Sequence, residues 1–184
     1  MKLAVFFPGI GYHCDKPLLY YSKKIARQNG YQTVDLHLSG LQKTADKSAE
    51  ATRLLIMDAF KQCESQLAGI HWDEFDSLLF VEKSIGTAVG WLYAKNKALP
   101  NVRHIYFTPV ELSAAWIQPE GIVFHGLADP WASNQTVQTE CQKRHLPLYT
   151  IPEANHSLET GDVIRDLRIL TSVMKTVKQY IESE

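Results

Sequence analysis

Three side chains in this sequence could together break an acyl bond. Ser84 stands in Glu82-Lys83-Ser84-Ile85-Gly86-Thr87, Asp129 in Gly126-Leu127-Ala128-Asp129-Pro130, and His156 in Pro152-Glu153-Ala154-Asn155-His156-Ser157. A serine hydroxyl is a poor nucleophile until a base takes its proton. An imidazole titrating near neutrality can accept that proton and return it to a leaving group. A carboxylate can fix the imidazole's tautomer and steady the imidazolium that forms. Taken singly, each residue has a plainer reading: Ser84 caps a helix through its hydroxyl, Asp129 starts a turn, and His156 is a loop histidine. Their joint placement in the chain is harder to assign to chance.

The turn at Ser84 carries most of the pattern G-x-S-x-G, in which a tight strand-to-helix turn lifts the serine oxygen clear of the sheet and small residues flank it where strand and helix approach. Gly86 meets that demand. Glu82 stands where the first glycine belongs, and it would crowd the turn unless its side chain turns toward solvent.

The elements that must position these residues are legible from periodicity. Short runs rich in Val, Ile, Phe and Leu alternate with longer segments of helical spacing, the pattern of an α/β protein with a parallel sheet. Strands are expected at Leu3 to Phe7, Thr33 to Leu38, Ser77 to Val81, Arg103 to Phe107, Ile122 to Phe124 and Leu148 to Ile151. The first is apolar on both faces, as a strand covered on each side must be. Helices are expected from about Asp15 to the Asn29-Gly30 stop, from Ser48 to Leu67, from Ile85 to Leu99, from Ser133 to Arg144 and from Asp162 to Ile181, with a polar loop before the second. In the last, Leu167, Leu170, Met174, Val177 and Ile181 recur at helical spacing, which predicts that it covers the final strand. The result is a three-layer sandwich around a mainly parallel sheet of about six strands. Ligands of such sheets sit at the carboxyl ends of the strands, which is where Ser84, Asp129 and His156 fall.

Composition bounds the partners. The 184 residues, 45% of them apolar and 19 basic against 20 acidic, make one ordinary globular domain over 1–184 without the basic footprint of a nucleic-acid binder. No apolar run reaches the ~18 residues of a membrane span, and the short apolar start lacks the features of a secretory leader, so the expectation is a cytoplasmic protein with neither nucleic acid nor membrane as partner. Cys14, Cys63 and Cys141 lack C-x-x-C spacing, and seven scattered histidines form no metal-ligand pair. No metal and no cofactor are expected. His13, Cys14 and His125 are placed on one rim, where they could line a pocket.

The order Ser, Asp, His at the ends of successive strands resembles the α/β-hydrolase superfamily, and more narrowly its compact dienelactone-hydrolase-like members, in which Ser-x-Gly, Gly-x-x-Asp and a late His-Ser recur. The resemblance covers essentially the whole chain. It implies a catalytic triad of Ser84, Asp129 and His156, and an oxyanion hole made by the backbone N–H of Ile10, in Pro8-Gly9-Ile10-Gly11, and that of Ile85. It also implies a minimal version of the fold: the strands that usually precede the first one here are missing, and only fourteen residues separate Phe107 from Ile122, too few for a helical lid. The expected activity is hydrolysis of a small carboxylic ester or thioester in a shallow, open site, with a small-molecule acyl substrate as the partner.

Two rivals stand beside it. One is a hydrolase-like domain that binds a ligand or partner without turnover. The other is a nucleotide-binding oxidoreductase, since Gly9-Ile10-Gly11 follows a strand, opens a helix and has Asp35 at the end of the next strand, two thirds of a dinucleotide fingerprint. Cys14 replaces its third glycine, and Asp15 lies where a pyrophosphate needs positive potential. Tyr12, Trp91, Trp116 and Trp131 leave room on the rim for a homodimer contact.

Overall fold

The computed structural model describes residues 1–41 and 48–183. Strands β1 (Lys2–Phe7), β2 (Tyr31–Asp35), β3 (Ser77–Lys83), β4 (Val102–Phe107), β5 (Gly121–Gly126) and β6 (Leu148–Ile151) alternate with helices α1 (Pro17–Gln28), α2 (Ala49–Gln66), α3 (Gly86–Asn96), the single turn α4 (Glu111–Ala114), α5 (Asn134–Lys143) and α6 (Val163–Glu182). All five strand pairs are parallel and the order is β2-β1-β3-β4-β5-β6, the all-parallel six-stranded sheet expected. Among the described residues no helix is long and apolar enough to cross a membrane.

The period of two along each strand sorts the core into layers. On one face Phe6, Leu79, Val81, Ile105 and Phe107 meet Leu18 and Leu19 of α1 and Val173, Val177 and Ile181 of α6. On the other, Leu3, Val5, Phe7 and Phe80 meet Ile56, Phe60 and Cys63 of α2 and the body of α3. A smaller cluster packs Tyr106 and Val123 against Val137 and Cys141 of α5. Helix starts follow local chemistry: the hydroxyls of Ser48 and Ser133 and the carboxylate of Asp162 accept backbone N–H bonds from Ala51, Thr136 and Arg165.

Several boundaries differ from the sequence reading, each for a physical reason. The second strand is Tyr31–Asp35 rather than Thr33 to Leu38, because its pairing with β1 ends near Pro8, which has no N–H to continue a ladder. The backbone of His37 and Ser39 is bonded instead to the side chains of Gln66 and Gln62 on α2. The polar loop expected after this strand runs through residues 42–47, outside the described residues. β3 and β5 extend further than expected, to Lys83 and Gly126. α6 lies beside α1 and leaves β6 half-exposed, with Tyr149 at 41%. Leu167 is exposed rather than buried, and Val173 takes an inward place. At ~1.5 Å per residue a helix of 20 residues outruns strands of four to seven residues, so its first turns overhang the sheet.

Candidate active site

The turn between β3 and α3 is built around two close approaches. Ser84 adopts φ 59°, in the left-handed region that a non-glycine residue enters only at a cost. Its N–H continues the ladder by donating to Phe107 O at 3.0 Å, while its carbonyl accepts the N–H and hydroxyl of Thr87. A Cβ on Gly86 would lie 2.4 Å from the Phe7 carbonyl oxygen, so only glycine lets the start of α3 sit against the end of β1. The serine does not cap α3: no side chain caps that helix. Its Oγ lies 2.7 Å from His156 Nε2.

His156 arrives from the loop after β6. Asn155 shapes that loop by accepting the N–H groups of Ser157 and Glu159 on its side-chain oxygen, and Thr108, just past β4, donates its hydroxyl to the His156 carbonyl at 3.0 Å. On the far side of the ring, Nδ1 is 2.7 Å from Asp129 Oδ2. That carboxylate is buried in the exit loop of β5, and its second oxygen accepts the Trp131 N–H at 2.9 Å. Gly126 lets the exit loops of β5 and β6 touch, for a Cβ there would meet Ala154 O at 2.3 Å. A carboxylate at Nδ1 makes that nitrogen the protonated one, so Nε2 faces the serine hydroxyl as an acceptor. The three residues singled out from the sequence therefore form one continuous hydrogen-bonded line.

The residues of the two backbone amides both border the site. Gly9 and Tyr12 exchange N–H bonds across a tight turn, 3.1 Å each way, with Gly11 at φ 71° in the position that favours glycine. That turn consumes the amides of Gly9 and Tyr12 and leaves the Ile10 N–H without an acceptor among the described residues; the Ile85 N–H has none either. Both residues line the cavity beside Ser84. Gly9 packs on the nucleophile itself, since a Cβ on it would come within 2.9 Å of Ser84 Cβ.

Glu82 does not turn toward solvent. It is fully buried beneath α3, where Gly90 makes room for its carboxyl, and its Oε1 lies 3.3 Å from His104 Nδ1. The His104 ring stacks flat on Tyr106. Burial pushes the Glu82 carboxyl well above the usual carboxylate range and pulls the His104 ring down to about 3, so both shifts favour the uncharged forms. The missing glycine of the elbow is thus replaced by an acid whose space is provided one helical turn later.

The cavity over Ser84 and His156 has a volume of about 320 Å³. Ile10, Ile85, Leu55 of α2, Leu112, Trp116 and Trp131 form most of its wall. α2 and the turn carrying α4 contribute to that wall. Sequence patterns gave no signal for Thr108, Leu55 or Leu112, whereas Ile10, Ile85, Trp116 and Trp131 were among the residues singled out from the sequence.

Other candidates separate. His13 is exposed, the Cys14 thiol is buried against the carbonyls of Phe6 and Leu36, and His125 lies inside β5 with Nε2 2.7 Å from Asn134 Oδ1, so the three share no pocket. Asp35, the acid of the dinucleotide fingerprint, is bonded to the buried Lys23 ammonium, which also reaches Asp15. Both acids of that reading are held by one internal cation.

No family model matches the sequence, and no curated protein does. Solved structures match over nearly the whole chain. A lidless α/β serine hydrolase from Xanthomonas campestris aligns with 98% of this chain and 80% of its own, at 14% identity and a TM-score of 0.61. The esterase Pf2001 of Pyrococcus furiosus aligns with 98% and 82%, at 11% identity and 0.67. Est1E of Butyrivibrio proteoclasticus, solved with ferulic acid bound, aligns with 98% and 88%, at 14% identity and 0.66. The fold is that of the α/β-hydrolases, in a minimal, all-parallel form.

Proposed function

We propose that this protein is a serine hydrolase that cleaves a carboxylic ester or thioester through an acyl-enzyme on Ser84. The observation that carries the reading is the unbroken line from Asp129 Oδ2 through His156 to Ser84 Oγ, 2.7 Å at each link, with the serine held at φ 59°. Ser84 Oγ attacks the substrate carbonyl as its proton passes to His156 Nε2. The tetrahedral oxyanion lies toward the Ile10 and Ile85 amides, donors of a kind worth about 3 kcal/mol each in the transition state. The bond to the leaving group breaks as His156 returns its proton to it. Water then adds to the acyl carbon, His156 takes and returns that second proton, and the acid leaves with Ser84 restored. Asp129 keeps the imidazole in the required tautomer and balances the imidazolium.

This chemistry asks for no metal or cofactor. The three thiols are buried and unpaired, with burial raising them to about 12, 12 and 11 for Cys14, Cys63 and Cys141, which fits a protein working in a reducing, cytoplasmic compartment. The test is intact-mass spectrometry after incubation with a fluorophosphonate. One adduct on the wild type, absent from Ser84→Ala and His156→Ala, is the expected result. A folded wild type that takes no adduct would overturn the reading in favour of a domain that binds without turnover.

A further inference from the structure

The wall of the cavity names a class of substrate more narrowly than the triad does, and the inference rests on the serine-hydrolase reading. Its charged lining residue among those described, Glu111, is already committed: the Ser133 N–H donates to one carboxylate oxygen at 2.6 Å and the Thr136 hydroxyl to the other at 2.5 Å. No described Lys or Arg lines the space. Among the described lining residues, a carboxylate or phosphate on the substrate would therefore meet no counter-charge and one committed carboxylate, the costly arrangement for a desolvated ion. The surface that is offered is aliphatic and indole: Leu55, Leu112 and Trp116, with Ile85 and Ile10 at the base.

Geometry decides which part of the substrate that surface holds. The leaving group must lie against His156 Nε2, from which it takes its proton, and the Trp131 ring packs beside that imidazole, the two centroids 6.1 Å apart. The oxyanion points to the Ile10 and Ile85 amides. The remaining substituent of the tetrahedral carbon is the acyl chain, directed to the wall of Leu55, Leu112 and Trp116. At ~30 Å³ for a water-sized group, the cavity of about 320 Å³ holds on the order of ten non-hydrogen atoms. We infer that the enzyme acts on esters or thioesters of neutral, apolar acids, with an acyl group of about six to eight carbons filling the space.

The test is kcat/KM for p-nitrophenyl esters from acetate to dodecanoate, with the hydrogen succinate beside the butyrate. The expected profile rises about fourfold per methylene, the transfer value for a buried CH₂, peaks near hexanoate to octanoate and then falls. The succinate should be at least about tenfold poorer than the butyrate of equal chain length. Leu55→Trp, and independently Leu112→Trp, should lower the octanoate-to-acetate ratio by about tenfold as the added ring fills the volume. A profile flat or falling from acetate, a succinate equal to or better than the butyrate, or an unchanged ratio in both folded variants would overturn the inference. Fluorophosphonate labelling of Ser84 separates the two failures: with labelling intact the acyl assignment alone is wrong, and with neither labelling nor turnover the serine-hydrolase reading falls and takes it along.

Discussion

His125 Nδ1 faces Asp129 Oδ2 at 4.0 Å, inside the protein, and among the described residues no donor reaches that nitrogen. The role of its other ring nitrogen can be read from Asn134. Asn134 donates its amide N–H to the Leu127 carbonyl at 3.1 Å, so the amide oxygen must be the atom that meets His125 Nε2. Nε2 therefore donates to that oxygen. The chain from Leu127 through Asn134 to His125 braces the loop that holds Asp129.

Cutting that brace has a defined cost. Asn134→Ala leaves the His125 N–H and the Leu127 carbonyl without their partners, and the expected loss of stability is about 1–3 kcal/mol. It is read as a lower urea midpoint at unchanged slope, with kcat/KM falling as the Asp129 loop loosens. A variant matching the wild type in both would deny the brace.

Strain at Ser84 separates two variants that lack its hydroxyl. Ser84→Ala and Ser84→Gly both lose the hydroxyl, yet alanine keeps the penalty of φ 59° and glycine does not. Ser84→Gly should be the more stable by about 1 kcal/mol, less what glycine adds to the unfolded chain. Thermal unfolding of the pair measures it, and equal melting temperatures would mean that the turn stores no strain.

The buried acid beneath α3 makes stability depend on pH. The Glu82 carboxyl titrates well above its ordinary value of 4.5 when folded, so the folded state holds a proton that the unfolded chain releases. The stability this contributes is complete below pH 4.5 and drains as pH rises toward the folded value, by about 1.4 kcal/mol per unit. Glu82→Gln keeps the shape without the titration. Its advantage over the wild type should be absent at pH 4 and grow with pH in chemical denaturation; a constant difference would refute the assignment.

Gly86→Ala tests the seam between β1 and α3. The new Cβ would meet main-chain atoms, Phe7 O at 2.4 Å and Pro8 O at 2.8 Å, and no side-chain rotation relieves that. Overpacking of this kind costs about 1–3 kcal/mol or more. Because the same seam sets Ile10 beside Ile85, kcat should fall by more than KM changes. Full activity in the variant would show that the two amides are positioned some other way.

The alternation of strands and helices, the parallel sheet and the three residues on its carboxyl edge were legible in the sequence because each rests on a local signal: a period, a turn residue, a cap. The parts that were not legible depend on contacts distant in the chain. Glu82 looked like an intruder because its accommodation lies in Gly90 and its partner in His104 on the next strand. His125 looked like a rim residue because nothing near it reveals that β5 runs two residues further to pair with Thr150 and Ile151. The second strand was misplaced because glutamines on α2, not residues beside it, take over its backbone.

The sheet order gives the reactive serine a use as a timer. Ile10 follows β1, Ser84 follows β3, Asp129 follows β5, and His156 follows β6, the outermost strand at its end of the sheet. The line draws on the ends of three strands, and its last link waits for an edge strand, β6, which pairs only with β5. During refolding, the recovery of fluorophosphonate reactivity would therefore mark the docking of that edge, and a gap between it and the return of helical signal would be the lifetime of a sheet still missing its final strand.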